Sequence, residues 1–208
     1  MLEFPELPPL PDGDYKTLMA DPPWAYDDDM PGPGRGSSSH YDTLHAGTVA
    51  GIAPQIRKAT APSAHLYLWT TNSFMQEAFE IADAWGFDQK TVITWLKVTD
   101  EPRELPHERD RDVPVSERIG MGHYYRNVTE HMLFCVKGNR QTNHENVPNY
   151  LFAERDTHSS KPSKAYELVE QQSPTPRLEL FSRANRADWD TWGDEAQRDR
   201  QIDDYASK

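Results

Sequence analysis

The chain has 208 residues, of which 36% are hydrophobic, and its formal net charge is −12. This length supports one sizeable core but not two full domains of ordinary size. Because the sequence has no apolar run of transmembrane length and no secretory leader pattern, we expect a cytoplasmic protein without a membrane span. Its single cysteine, Cys135, cannot form an internal disulfide, and the histidines lack metal-ligand spacing, so we expect no metal.

The acidic charge also bears on the binding partner. A surface that neutralises phosphates is normally basic, so a charge of −12 argues at first sight against a nucleic-acid partner. Aspartate is plentiful and lysine is scarce, a bias that resembles proteins of salt-loving organisms, whose charged surfaces stay hydrated. An ordinary acidic cytosolic protein fits the composition equally well, and both interpretations stay open.

The pattern along the chain predicts an extended, proline-rich arm at 1–14, a single domain at 15–196 and a polar tail at 197–208. Within the domain, strand-like and helix-like segments alternate. The predicted strands are Tyr15–Ala20, 64–70, 91–97, 131–137 and, as the last one, 177–181. The predicted helices are 48–58 with Thr48 as its cap, Met75–Trp85 between an Asn72 cap and Gly86, and Ser163–Gln172 beginning at Pro162.

Two polar segments are predicted as loops: 27–40, beside the first strand, and a long charged insertion at about 100–122. Strands that alternate with helices predict an α/β fold with a mostly parallel sheet and helices on both faces. Ligands of such sheets bind at the carboxyl ends of the strands. The first strand ends at Asp21, before two prolines, and we therefore place the site there.

The segment Asp21-Pro22-Pro23-Trp24 is the sharpest chemical signal. One reaction that these residue types suit is methylation of the exocyclic amine of adenine. The lone pair of this amine is delocalised into the ring, so hydrogen-bond acceptors must hold the amine hydrogens before the nitrogen can attack a methyl sulfonium. Asp21 offers a carboxylate and Pro22 a carbonyl, while the proline rings fix the backbone. Trp24 offers a flat face for a base that has swung out of its stack. The alternative is a strand-ending turn in which Asp21 caps a helix and Trp24 is core.

Six ordered segments carry a resemblance: ADPPWAY, LWTTN, ITWLK, RNVTEHMLFCVKG, HSSKP and ELFSRANRADWDTWGDE. Over residues 15–195 the chain resembles the 6-methyladenine methyltransferases, the family of the catalytic subunit of the eukaryotic messenger-RNA adenosine methylase and its prokaryotic and phage relatives. The resemblance implies a Rossmann-like methyltransferase that depends on S-adenosylmethionine. It also implies that the catalytic motif, Asp21 to Trp24, precedes most of the cofactor-binding segments.

The resemblance further implies roles for single residues. Those that would bind the target base are Tyr41, Asn127, Glu130 and Lys161. Those that would hold the cofactor are Asp21, Lys161, Glu179, Arg183, Asn185, Asp194 and Glu195. The family more often has asparagine at position 194. The alternatives without a functional role are a solvated lysine at position 161 and a surface or paired carboxylate at position 130. Four tryptophans are predicted to lie in the core: Trp69, Trp95, Trp189 and Trp192.

The leading functional hypothesis is methylation of the exocyclic amine of adenine in DNA, because the chain shows no zinc-finger or RNA-recognition signature. The alternatives are an RNA adenosine methyltransferase and a catalytically silent nucleic-acid-binding partner. Methylation of cytosine's amine needs the same acceptors, but Trp24 favours adenine. The expected partner is nucleic acid. A homodimer and a second subunit both stay open.

Overall fold

The computed structural model describes residues 8–24, 45–98, 124–125, 127–154 and 161–193. Within them the strands are β1 (Tyr15–Ala20), β2 (Thr60–Thr70), β3 (Asp88–Val98), β4 (Thr129–Lys137), β5 (Tyr150–Glu154), β6 (Arg177–Leu180) and β7 (Asp190–Trp192). The helices are α1 (Ala46–Gly51), α2 (Ala53–Ala59), α3 (Met75–Trp85) and α4 (Ser163–Gln172), and a 3-10 turn covers Asn72–Phe74.

The described strands form one seven-stranded sheet in the order β5-β3-β4-β2-β1-β6-β7. Strand β1 lies inside the sheet and pairs in parallel with both β2 and β6. Strand β4 runs antiparallel to its two neighbours, β2 and β3, whereas the remaining pairs are parallel. The prediction of a mostly parallel α/β sheet is therefore confirmed, and β1 delivers its following residues to the middle of the carboxyl edge.

Alternating residues of the strands build two cores on opposite faces of the sheet. On one face, α1, α2 and α3 pack against side chains such as Leu18 and Leu66. On the other, α4 packs against side chains such as Met19 and Trp69. Neighbouring residues of a strand belong to different cores because strand side chains alternate with a period of two. The prediction of helices on both faces is confirmed. The four tryptophans predicted as core are all buried: Trp69, Trp95, Trp189 and Trp192.

Two predicted helix caps and the continuity of one predicted helix are wrong. The predicted helix 48–58 is split into α1 and α2 at Ile52, with a proline in the first turn of α2. Thr48 does not cap it, since α1 begins one residue after His45 and has no side-chain cap bond. Asn72 does not cap α3 either, because it begins the 3-10 turn and its side chain contacts His131 at 2.8 Å. The bounds predicted for α3 and α4 are confirmed.

The sheet is larger than the hydrophobic pattern predicts. Strands β2 and β3 begin earlier than predicted, at Thr60 and Asp88. Strands β5 and β7 were not predicted, and β6 is consequently not the last strand. Both added strands lie at the two edges of the sheet, where they are only five and three residues long. Such short segments show too little alternation to be recognised in the sequence.

Several predictions fall outside the described residues: the loop 27–40, the insertion 100–122, the tail 197–208, and the residues Tyr41, Asp194 and Glu195. Of the predicted arm, residues 8–14 form no regular secondary structure, but they contact the domain. The indole of Trp192 donates to the carbonyl of Pro8 at 3.0 Å, and the amide of Leu10 donates to Gln55 at 3.3 Å. None of the described helices has the length and apolar character needed to cross a membrane.

Candidate active site

Four chain segments bring charged side chains to the carboxyl edge of the sheet. Asp21 directly follows β1, and Lys97 is the last residue but one of β3. Glu130 is the second residue of β4, whose antiparallel direction puts its amino end at the same edge. Lys161 stands just before α4. The topology therefore assembles this group from residues that are up to 140 positions apart in the chain.

The alternation of the strands puts these side chains on the face that α4 covers. Asp21 is two residues after Met19, and Lys97 is two residues after Trp95, so each continues a core-facing row. Glu130 pairs directly with Trp95 in the sheet, and paired residues share a face. The site is therefore the polar continuation of the core beneath α4.

The four side chains form an ion-pair chain of alternating charge. The ammonium of Lys161 donates to Asp21 Oδ2 at 2.7 Å and lies 3.4 Å from Glu130 Oε2. The other carboxylate oxygen of Glu130 accepts from Lys97 at 2.5 Å. Lys161 and Asp21 are 13% and 25% exposed, so their pair is mostly shielded from solvent. The solvated-lysine interpretation of position 161 is therefore wrong.

In the ion-pair chain, the charges of neighbouring side chains affect the pKa values more than burial does. Burial alone would lower the pKa of Lys161, but the carboxylates of Asp21 and Glu130 raise it above the ordinary lysine value. Burial alone would raise the pKa of Glu130, but the ammonium groups of Lys161 and Lys97 hold it below the ordinary glutamate value. Lys161 is therefore cationic and Glu130 anionic at neutral pH.

Trp24 lies on the other side of the sheet from this ion-pair chain. It is 7% exposed, belongs to the core beneath α1 to α3, and stacks on Phe74 with ring centroids 5.1 Å apart. Its backbone amide donates to the carbonyl of Pro22 at 2.9 Å. A carbonyl oxygen has a second lone pair, so Pro22 keeps one acceptor position. Trp24 is thus a core residue, in this respect as the alternative interpretation predicted, and the stacking of a base on it stays a prediction.

A second polar group lies under α4 beside Asp21. Glu179, which pairs with Met19 in the sheet, is 8% exposed and accepts from the hydroxyl of Tyr166 at 2.6 Å. Burial raises the pKa of the Glu179 carboxyl, against the opposing influence of its hydrogen bonds and of Arg186. The guanidinium carbon of Arg186 lies 3.6 Å from the centroid of the Tyr166 ring. Glu179 is thus anchored to α4 next to the site.

The remaining candidates lie at the rim. Asn127 is exposed just before β4. Arg183 is half-buried and Asn185 is exposed after β6, where the amide oxygen of Asn185 accepts from Thr191 at 3.0 Å. Asp194 and Glu195 follow the described residues, and their predicted contacts stay predictions.

Lys97 and the polar cluster around His131 are not among the site residues predicted from the sequence. Lys97 could have been found from its spacing, because it follows the core residue Trp95 by two positions on one strand. His131 contacts Asn72 Oδ1 at 2.8 Å and Thr94 Oγ1 at 3.2 Å, on the face opposite the ion-pair chain. Burial lowers the pKa of His131, and the Glu130 charge partly offsets this. No local sequence pattern predicts this cluster.

The residues fit a cofactor that carries an amino acid group and a ribose. Lys161 can donate to a carboxylate, and Asp21 can accept from an ammonium group. Glu179 lies on β6, and Arg183 and Asn185 come after this strand in the sequence. Glu179 and Asn185 offer oxygen acceptors for hydroxyl groups. Within the described residues, no group of three His, Cys, Asp or Glu side chains is arranged to hold a metal ion.

The mostly parallel sheet, the helices on both faces and the charged site at the end of the inner strand β1 define a Rossmann-like methyltransferase fold. The chain belongs to the MT-A70 family, whose profile matches residues 15–195. This membership confirms the resemblance found in the sequence.

Relatives of this chain carry methyltransferase names. The N(6)-adenosine-methyltransferase subunit METTL3 of Danio rerio is 29% identical over 191 residues, which cover 88% of this chain and 28% of that protein. The human catalytic subunit METTL3 is 28% identical, with the same coverage of 88% and 28%. The Type II methyltransferase M.MunI of a Mycoplasma species is 28% identical over 89% of this chain and 79% of its own length. The chain therefore spans under a third of the METTL3 relatives but most of M.MunI.

Proposed function

We propose that this protein transfers a methyl group from S-adenosylmethionine to the exocyclic amine of adenine in a nucleic acid, with DNA as the favoured substrate. The observation that carries the proposal is the 2.7 Å ion pair between Lys161 and Asp21 at the carboxyl end of β1. Family membership and the relatives named N(6)-adenosine-methyltransferase support the same reaction. When bound, S-adenosylmethionine supplies an electrophilic methyl group on a sulfonium.

The residues of the chain supply acceptors and orientation. Lys161 occupies one position on Asp21 Oδ2, and an ionised carboxylate has about four acceptor positions on its two oxygens. Asp21 can therefore accept a hydrogen of the adenine amine while Lys161 fixes its orientation. Pro22 offers its remaining carbonyl lone pair to the other hydrogen. Asp21 is also a carboxylate acceptor for the proton that the amine loses after the transfer.

Two observations bear on the nucleic acid. The chain matches most of the length of the Type II methyltransferase M.MunI, and this fuller match supports DNA as the substrate. The name N(6)-adenosine-methyltransferase, carried by other relatives, refers to the ribonucleoside and keeps RNA as the second candidate. A silent binding partner is the third, and the assembled pair of Asp21 and Lys161 argues against it.

Labelled S-adenosylmethionine separates these candidates. The protein is incubated with double-stranded DNA, single-stranded DNA and RNA pools, and the products are digested to nucleosides and separated. The control is a double variant, Asp21→Ala with Lys161→Met, purified in parallel so that label from contaminating enzymes is recognised. We expect label in 6-methyladenine from DNA. Label only from RNA selects the second candidate, and label in methylcytosine contradicts the proposal. Absence of label despite cofactor binding selects the silent partner.

A further inference from the structure

We propose that Lys97 is a positioning residue for methyl transfer, because its ammonium group holds the Glu130 carboxylate and thereby leaves Lys161 bound to Asp21. The inference rests on the proposed function and deepens it. It concerns a residue that is not itself expected to touch the base or the cofactor. Its action runs through Glu130 and Lys161.

The distances show how the two lysines divide the carboxylates. Lys161 is 2.7 Å from Asp21 and 3.4 Å from Glu130, so its ammonium favours Asp21. Glu130 receives its short contact from Lys97 instead, at 2.5 Å. Each carboxylate thus has one close cation. Glu130 is 21% exposed, which leaves limited access for water to replace a lost partner.

Lys97 is itself fixed by the core. Its side chain is 14% exposed, and its ammonium lies 5.1 Å from the centroid of the Trp95 ring. Trp95 is buried, and its indole donates to the carbonyl of Ala153 in β5 at 2.9 Å. The position of Lys97 therefore depends on the packing between β3 and β5, which is rigid compared with a surface side chain.

Removal of the Lys97 charge should change the partner of Lys161. Glu130 would then be a poorly solvated carboxylate with one remaining cation, which it shares with Asp21. Because charge attraction rises as distance falls, Lys161 should move toward Glu130 and loosen its bond to Asp21. Asp21 would lose the contact that orients it, and small misplacements of reacting groups cost about a hundredfold in rate.

The test compares Lys97→Met with Lys97→Arg and with a control on the same strand, Lys90→Met. The methionine keeps the packing of the aliphatic stem on Trp95, and the arginine keeps the charge. Lys90 lies at the other end of β3, where it forms an exposed pair with Asp88 at 3.7 Å. Turnover, both Michaelis constants and the carbon-13 resonance of the Glu130 carboxyl, assigned with Glu130→Gln, are measured against pH.

We expect Lys97→Met to lower kcat by about ten- to a hundredfold with unchanged KM values. The titration midpoint of Glu130 should rise by about one pH unit or more, because a close opposite charge has been removed. Lys97→Arg should restore most of both, and Lys90→Met should match the wild type. If the methionine variant does not fold, Lys97→Gln gives the same test, since it also removes the charge.

Two results would overturn the inference. One is an unchanged kcat and Glu130 titration in the neutral variants. The other is a raised KM for the nucleic acid with unchanged kcat, which would make Lys97 a phosphate contact. If the wild type methylates no nucleic acid, the proposed function fails, and the Glu130 titration still decides whether Lys97 controls Glu130.

Discussion

Replacement of Asp21 by asparagine tests the proposed grip on the adenine amine. The change keeps the shape of the side chain and one acceptor oxygen but removes the charge. Charge-assisted hydrogen bonds are roughly twice as strong as neutral ones, and a lost transition-state contact of about 3 to 4 kcal/mol lowers the rate about a hundred- to a thousandfold. We therefore expect kcat to fall by about that factor in Asp21→Asn. Cofactor affinity should fall much less, because Lys161 and the groups after β6 remain.

The fold should survive the substitution. Breaking a fully buried ion pair costs about 3 to 5 kcal/mol. The cost here should be about 1 to 2 kcal/mol, because Asp21 is 25% exposed and Lys161 keeps Glu130 at 3.4 Å. The matching fall in Tm for a chain of this size is about 2 to 8 °C. Assays at a temperature well below the transition therefore separate the chemical effect from unfolding.

The assay combines single-turnover methylation with calorimetric titration of S-adenosylmethionine. Asp12→Asn is the control, because it removes an aspartate from a lysine pair at 3.5 Å whose two side chains are 96% and 82% exposed. Exposed pairs contribute little, so this variant should keep wild-type stability and turnover. A folded Asp21→Asn protein that binds the cofactor and methylates at nearly the wild-type rate would refute the grip. Asp21 would then only end a strand.

Three further predictions concern stability and salt. Burial raises the pKa of Glu179, so the folded wild type holds this proton more tightly than the unfolded chain, and its unfolding free energy should fall as the pH rises above 4.5. Glu179→Gln should not show this fall. Each unit of pKa is worth about 1.4 kcal/mol, and urea denaturation at pH 5 and pH 8 measures the difference. Gly138→Ala should destabilise the fold by about 2 kcal/mol, because φ is +68° and a Cβ would lie 2.7 Å from the carbonyl oxygen of Pro62. Gly51→Ala is its control and should not destabilise, because the added carbon would meet no atom within 4 Å apart from its chain neighbours and the backbone of its own helix. If the composition reflects a salt-loving source, activity should rise with potassium chloride toward molar concentrations, and a monotonic fall from low salt would contradict this.

The sequence alone determined the elements whose signals are local. Helix α3 has a clear apolar repeat and ends at Gly86, which adopts the left-handed conformation with φ of 86°. Helix α4 begins after Pro162 as predicted. The alternation of strands with helices was sufficient for the mostly parallel sheet, and Asp21 marked its carboxyl edge because two prolines end the strand there.

Tertiary packing decided the features that depend on neighbours distant in the chain. The short strands β5 and β7 form because β3 and β6 offer them edges with which to pair. The five residues of β5 and the three of β7 carry no local pattern that would predict a strand. Asn72 was predicted as a cap from its type, but the position of His131 on β4 gives its side chain another partner.

The active site shows the same division. Residue type and motif identified Asp21, Lys161 and Glu130 as candidates, but they could not reveal which of them touch. Contact required the antiparallel insertion of β4 between β3 and β2, which brings Glu130 beside Lys97 and within reach of Lys161. Charge pairing over such a separation is set by strand order, and strand order is the sum of many weak packing preferences across the whole core. The sequence therefore named the chemical groups, and the fold chose their partners.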